Sequence, residues 1–211
     1  MKAGGLFAND GKVSLINFGQ YYSYMQQLLE ADKQIFRLIN SSWNSSFLDA
    51  TLPLIRNQHL WTPFYLFMLL FILMNYKKNG WWWVISTACV ATLTNFISSD
   101  IIKPSIFRVR PCNDPSLAEG FRFLVAYCPR SSSFTSSHAT NHFGLAAFLY
   151  YTLKNHVGKK ALFLFAWAGI IVYAQVYVGV HYPIDVIFGG LVGYLFGYLA
   201  ARSYNRNYSL A

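Results

Sequence analysis

The chain has 211 residues, of which 55% are hydrophobic, 18% aromatic and only 12% charged. Soluble domains carry roughly 25% charged residues, so this balance excludes an ordinary soluble protein and points to one membrane-embedded domain with rings at the bilayer interfaces. The net charge of +9 is not gathered in a dense basic cluster, which argues against a nucleic-acid partner and leaves anionic lipid and an anionic substrate.

Residues 1–58 hold no apolar run followed by a small-residue cleavage site, so targeting is expected to come from the membrane spans themselves. The region reads instead as amphipathic and interfacial. Over residues 25–39, Leu28, Leu29, Ile35, Phe36, Leu38 and Ile39 are interrupted by Glu30, Asp32, Lys33 and Arg37, a pattern suited to a helix lying on a membrane surface. Residues 46–56 repeat that character more weakly.

A transmembrane core, residues 59–203, follows. Residues 61–76 are almost wholly apolar and stop at Lys77-Lys78-Asn79-Gly80, and residues 81–99 open on three tryptophans. After a polar loop, 103–137, come further spans at about 138–153, 161–180 and 183–201, with Pro183 suited to a first helical turn. Several approach the lower end of the roughly 17–25 residues that crossing requires. The expected fold is therefore an all-α integral membrane bundle of five spans, or six if the N-terminal region adds one, in a single domain.

Helix alternation puts the loop 103–137 and residues 181–182 on one side of the membrane. The other side receives Lys77, Lys78, Lys154, Lys159, Lys160, Arg202 and Arg206, which marks it as cytoplasmic. The polar loop then faces the periplasm or outside of a plasma membrane, bacterial inner membrane being the expected location. Its own five cations are expected to serve a substrate. Gly189, Gly193 and Gly197, four apart on the last span, are read as a packing stripe. Cys89 is read as a small buried hydrophobe. Cys112 and Cys128 share the polar loop and form a disulfide if it faces an oxidising compartment.

Three groups of residues carry chemistry. Lys103 and Arg110, with six residues between them, are placed to converge on one phosphate, the arginine as a bidentate fork and the lysine as a point charge; for Lys103 alone, interfacial snorkelling is the plainer reading. In the run Ser131–Ser137, Ser136 or Ser137 reads as a helix N-cap, and the same helix end offers free N–H groups to an anion. His138 stands there, close to a leaving oxygen, whereas His142 one turn on is given no role. Finally His181 has Asp185 four residues on, so a carboxylate returns to the imidazole, fixes its tautomer and strengthens the other nitrogen as a nucleophile.

Together these residues resemble the type 2 phosphatidic acid phosphatase family, which also includes vanadium haloperoxidases. Lys103 through Pro111 matches K-x-x-x-x-x-x-R-P. The family's P-S-G-H is similar to Thr135-Ser136-Ser137-His138, and S-R-x-x-x-x-x-H-x-x-x-D to the stretch from Ala174 to Asp185. The resemblance covers residues 100–190 and implies that His181 is a nucleophile forming a phosphohistidine, that Asp185 orients it and that His138 protonates the leaving group. It implies a phosphate cradle of Lys103, Arg110, Ser136 and the backbone at Ser137, with no metal and no cofactor. Gln175 stands where the family has a phosphate-binding arginine, and Arg108 is a candidate to make up that charge.

The expected activity is metal-independent hydrolysis of a lipid phosphate or diphosphate of the undecaprenyl diphosphate, phosphatidylglycerol phosphate, phosphatidic acid or lipid A type. The partners are thus a phospholipid or polyprenyl phosphate substrate and the surrounding membrane lipids. The alternative, motivated by Gln175, is a non-catalytic lipid-phosphate-binding protein derived from this family. A transporter ranks below both, because Asn95, Asp100 and Gln175 lie towards span ends.

Overall fold

The computed structural model describes residues 6–9, 12–15, 18–117 and 120–210; the parts of the N-terminal region at 1–5, 10–11 and 16–17 fall outside these. A hairpin of β1 (Leu6–Asn9) and β2 (Lys12–Leu15) precedes a helical bundle. Helix α1 (Phe18–Arg37) runs on through a wider π-type turn, Leu38–Ser42. Helix α2 (Ser46–Ile55) starts at Ser45, whose hydroxyl accepts from the Leu48 N–H at 3.2 Å, a side-chain cap for an otherwise orphaned donor.

Among the described residues, three helical runs are long and apolar enough to cross a membrane: Gln58–Ser105, Ser137–Tyr177 and Pro183–Asn207. The first two are broken midway, so the five expected spans appear as arms of these runs. Helix α3 (Thr62–Phe96) divides at Lys77, which has φ 42° and ψ −125°. The tight approach of Gly80, where a Cβ would meet Ile72 O at 2.7 Å, folds the two arms, residues 62–76 and 78–96, against each other. Beyond Phe96 the helix widens over Ile97–Ile102 and ends in a short turn, Lys103–Ser105. Helix α4 (Ser137–Val157) is separated from α5 (Phe163–Tyr177) by the basic turn at Gly158–Leu162. Helix α6 (Pro183–Asn207) runs six residues beyond the sequence-based end at 201, because its final turns are tied down: Tyr204 Oη donates to Asn79 O at 2.9 Å and Asn205 Nδ2 to Tyr151 O at 2.9 Å. These bonds also gather the basic stretches around Lys77, Lys154 and Arg202 at one end of the bundle.

Helix α4 is the centre, buried on most of its circumference, as expected of a helix surrounded by others. It crosses α6 along the glycine stripe: a Cβ at Gly193 would sit 2.0 Å from Thr140 O and one at Gly197 2.1 Å from Gly144 O. Only glycine permits that approach, and the crossing fixes how far the start of α4 stands from the start of α6. Leu66, Phe67 and Met74 on α3, and Ile187, Leu191 and Leu195 on α6, are exposed. Such apolar faces fit hydrocarbon rather than water. Cys89 corrects one expectation. It is exposed on the outer face of α3, because the buried positions of the second arm, Gly80, Trp83, Val90 and Thr94, lie on its other side.

Candidate active site

The site lies where the starts of α4 and α6 meet the loop 106–136. A hydrogen bond joins the two helix starts directly, from Ser136 N to Asp185 O at 3.1 Å. Ser136 is the N-cap of α4, its Oγ accepting from Ala139 N at 3.4 Å. Ser137 Oγ turns the other way, to Ser98 Oγ at 2.9 Å and Ser99 Oγ at 3.1 Å, and so ties α4 to the end of α3. Before α6, Gly179 takes φ 89°, a conformation that favours glycine. A Cβ there would also meet the Phe121 ring at 2.7 Å. That turn delivers Val180 and His181 into the site.

Asp185 is the hub, with no exposed surface. Its Oδ2 accepts from Ser133 Oγ at 2.5 Å and from Tyr182 N at 2.9 Å, and its Oδ1 from Arg108 Nη1 at 2.6 Å. His181 Nδ1 stands 3.6 Å from Asp185 Oδ2 and 3.5 Å from Ser133 Oγ, an electrostatic separation rather than a short hydrogen bond. On the other side of the ring, Arg110 Nη1 lies 3.1 Å from His181 Nε2. Guanidinium only donates, so Nε2 accepts, the ring proton sits on Nδ1 facing the carboxylate, and the Nε2 lone pair faces the cations. Burial lowers the His181 pKa to about 4, with Arg110 pushing the same way and Asp185 opposing. Near neutral pH the imidazole is therefore uncharged.

Lys103 and Arg110 converge as expected, and the point of convergence is a backbone oxygen: Lys103 Nζ and Arg110 Nη2 each donate to Ser132 O at 3.1 Å. Arg110, 5% exposed, also donates to Ser131 O and Val180 O. Burial opposes its charge and lowers its pKa. Arg108 is engaged differently. Its Nη1 holds Asp185, its Nη2 holds Asp32 Oδ2 at 2.5 Å, and its Cζ stacks 4.2 Å over the Tyr182 ring. Burial works against that charge too, but Asp185 and Asp32 outweigh it and raise the pKa. The guanidinium is committed to two carboxylates, one of them beside His181.

His138 is half-buried at the first turn of α4, within electrostatic reach of His181 and Lys103. Among the described residues neither ring nitrogen has a hydrogen-bond partner. The His142 ring lies parallel to it with centroids 6.1 Å apart. Gln175, fully buried one and a half turns before His181, accepts from Arg56 Nε at 3.3 Å, and its amide nitrogen has no acceptor among the described residues. The loop is closed by a disulfide between Cys112 and Cys128, with Cα atoms 6.0 Å apart.

Four contributors escaped the sequence reading. Asp32, on α1, holds Arg108 and accepts from Ile184 N at 2.9 Å. Ser133 stands against Asp185, and Asp114 accepts from Tyr182 Oη at 2.6 Å. Arg56 comes from the end of α2. Asp32 looked like one interfacial charge among four. Its spacing with Leu29, Lys33, Phe36 and Asn40, all on one helical face, was the available signal; that face is the one turned inward, whereas Leu28, Ile35 and Leu38 are exposed.

A buried histidine facing cations, a second histidine within electrostatic reach and a carboxylate behind are the kinds of group that phosphoryl transfer uses. Over 174 residues the chain is 28% identical to the lipid A 4'-phosphatase of Bacteroides thetaiotaomicron, covering 82% of this chain and 76% of that one. The lipid A 4'-phosphatase of Porphyromonas gingivalis is 24% identical over 181 residues, covering 85% and 75%. The crystal structure of the transmembrane PAP2 type phosphatidylglycerolphosphate phosphatase from Bacillus subtilis superposes with a TM-score of 0.66 at 21% identity, covering 86% of this chain and 88% of that one. That of Aquifex aeolicus LpxE does so at 0.57 and 25% identity, covering 80% and 93%. The PAP2 superfamily model matches residues 81–209, a stretch holding every residue of the three motifs, and the chain belongs to that superfamily as a multi-pass membrane lipid phosphatase.

Proposed function

We propose that the protein hydrolyses a phosphate monoester on a lipid A-type glycolipid through a phosphohistidine on His181, without a metal. The observation that carries this reading is the setting of the buried His181 ring, whose Nε2 lies against Arg110 and whose Nδ1 faces Asp185. Nε2 attacks phosphorus, the bond from phosphorus to the lipid oxygen breaks, and His138 gives that oxygen its proton. Water then attacks the phosphohistidine, its proton passes to His138, and the P–N bond breaks to free phosphate. Lys103, Arg110 and the N–H groups at the start of α4 stabilise the charge that builds on the phosphoryl oxygens. A bound dianion beside His138 favours its protonated form, as the acid step requires.

The substrate is supported by the two curated relatives, both named for lipid A and both matched over most of their length. An apolar cavity of about 520 Å³ between the arms of α3 and α4 reaches Asn141 and His142, one turn along α4 from His138, and offers room for acyl chain. Undecaprenyl diphosphate, phosphatidylglycerol phosphate and phosphatidic acid are the competing substrates. The basic stretches at the opposite end of the bundle favour a site on the outer face of a bacterial inner membrane, where a Cys112–Cys128 bridge persists.

The test is phosphate release by detergent-purified protein from these four lipids in EDTA, beside His181→Ala. We expect release from lipid A to be fastest and to vanish in the variant, with phosphate trapped on His181 in acid-free quenches of the parent enzyme. Equal rates with and without His181 in a folded variant would discard the mechanism, and a faster rate on another lipid would reassign the substrate.

A further inference from the structure

The site holds four buried or half-buried cations, and their charges are balanced unequally. Arg108 meets Asp185 and Asp32. Among the described residues Lys103 donates only to Ser132 O. Arg110 meets carbonyls, the Ser131 hydroxyl and an imidazole. The fourth is Arg56, which follows the last turn of α2 and packs towards α5. Among the described residues it has no carboxylate within ion-pair distance, and its one side-chain hydrogen bond runs from Nε to Gln175 Oε1 at 3.3 Å. Its terminal nitrogens are left over. It stands close enough to act electrostatically on both Arg110 and His138. Gathering unpaired cations in a poorly solvated place is unfavourable unless an anion joins them.

Gln175 adds a second, independent sign. Because its Oε1 accepts from Arg56, its NH₂ must point away from that arginine, and this buried donor has no acceptor among the described residues. A buried amide without an acceptor costs stability unless a ligand oxygen meets it. A guanidinium with no carboxylate partner and an amide with no acceptor among the described residues are thus joined to each other, and the guanidinium acts on Arg110 and His138.

We propose that Arg56 is a phosphate-binding residue, clamped by Gln175 so that its terminal nitrogens face the phosphoryl group. The motif position at 175 then has a physical explanation in this chain. The positive charge has moved from α5 to the end of α2, and glutamine at 175 has become the hook that aims it. Arg108 does not supply that charge, since both ends of its fork are taken by carboxylates. Arginine at both 56 and 175 would place two guanidinium groups in one buried spot, so the two positions are alternatives.

The inference rests on the reading of this site as a phosphate site, and its test separates the two. Detergent-purified parent, Arg56→Gln, Arg56→Lys, Gln175→Arg and the double variant Arg56→Gln/Gln175→Arg are compared for phosphate release from lipid A and for stabilisation against heat by inorganic vanadate. Losing a charge-assisted contact should lower kcat/KM roughly ten- to a hundredfold in Arg56→Gln. Arg56→Lys should retain most activity, Gln175→Arg alone should gain none, and the double variant should regain most of the loss. A merely structural arginine would not be rescued from position 175. Arg56→Gln within about twofold of the parent, or a double variant no better than Arg56→Gln, overturns the proposal. If Arg56→Gln does not fold, the Arg56→Lys and double variants decide: activity in both sustains the proposal, and its absence from a folded double variant overturns it. If the parent releases no phosphate from any lipid, hydrolysis is the reading that fails. Vanadate stabilisation present in the parent and lost in Arg56→Gln would still sustain the role of Arg56; stabilisation unchanged, or absent from the parent, would overturn it.

Discussion

Arg108 and Arg110 lie two residues apart on one loop, and both reach the His181–Asp185 pair, from opposite sides. Arg108 is neutralised twice over, by Asp185 and by Asp32 on α1. Among the described residues Arg110 meets no carboxylate; its partners are carbonyls, a hydroxyl and the neutral His181 Nε2. A buried cation that has found its counter-ions belongs to the scaffold, because adding an anion there would mean breaking existing bonds. One that has found only dipoles keeps its charge available. On the proposed mechanism, sequence proximity conceals a division between a side that holds His181 still and a side that receives the phosphate.

Breaking the neutralised side should have the larger effect on stability. Arg108→Ala strands two carboxylates whose side chains have no exposure, and removing one partner of a buried pair typically costs about 3–5 kcal/mol. We expect a marked fall in the thermal unfolding midpoint in detergent, recovered in part by Arg108→Ala/Asp32→Asn, which removes one stranded charge. An unfolding midpoint equal to the parent's would erase the distinction between the two arginines.

Arg110→Gln should do the reverse, lowering kcat/KM by about 2–3 kcal/mol in activation free energy with a smaller loss of stability, since hydrogen bonds to carbonyls are the main ones released. The same variant reports on His181. Its folded pKa of about 4 lies below the ordinary 6.5, so between these values the unfolded chain binds the proton more readily than the folded one. The stability contributed by neutral His181 is therefore fully present above pH 6.5 and lost as pH falls towards 4. Removing the Arg110 charge should move the imidazole titration, followed by NMR of labelled histidine, upward while burial keeps it below 6.5. A midpoint unmoved by Arg110→Gln would mean that the cation does not act on Nε2.

Why Arg110 and His181 were legible in the sequence and Arg56 and Asp32 were not follows from where each sits. Lys103, His138 and Asp185 stand at helix ends, and Arg110 and His181 in the loops beside them, in motifs whose spacing is set by one turn or one loop, and hydropathy alone brackets those ends. The five apolar stretches and the glycine stripe were visible for the same reason, being local periodicities. Asp32 and Arg56 reach the site from α1 and α2, across 76 positions to Arg108 and 119 to Gln175, and no local pattern encodes such a pairing. The fold made a charge that resembled interfacial decoration into a partner. Likewise a sequence can show that position 175 lacks an arginine, but only tertiary packing can show which side chain stands opposite it.

The smallest effect is expected one layer behind Arg108, and it tests how far the neutralised side extends. The Tyr182 ring lies under the Arg108 guanidinium, and its hydroxyl donates to Asp114, which also pairs with Lys33 on α1 at 3.2 Å. Burial would raise the Asp114 pKa, but the Tyr182 and Ser116 hydroxyls and Lys33 hold it down to about 2. Tyr182→Phe keeps the aromatic face that the cation rests on and removes only the hydroxyl. We expect a loss of about 1 kcal/mol in stability, the worth of one hydrogen bond, with kcat/KM unchanged. Arg108, still held by two carboxylates, should not move. If instead kcat/KM falls by tenfold or more (about 1.4 kcal/mol) while the unfolding midpoint stays put, the chain from Lys33 through Asp114 and Tyr182 reaches the reacting atoms. Arg108 would then have to be counted with Arg110 as part of the chemistry.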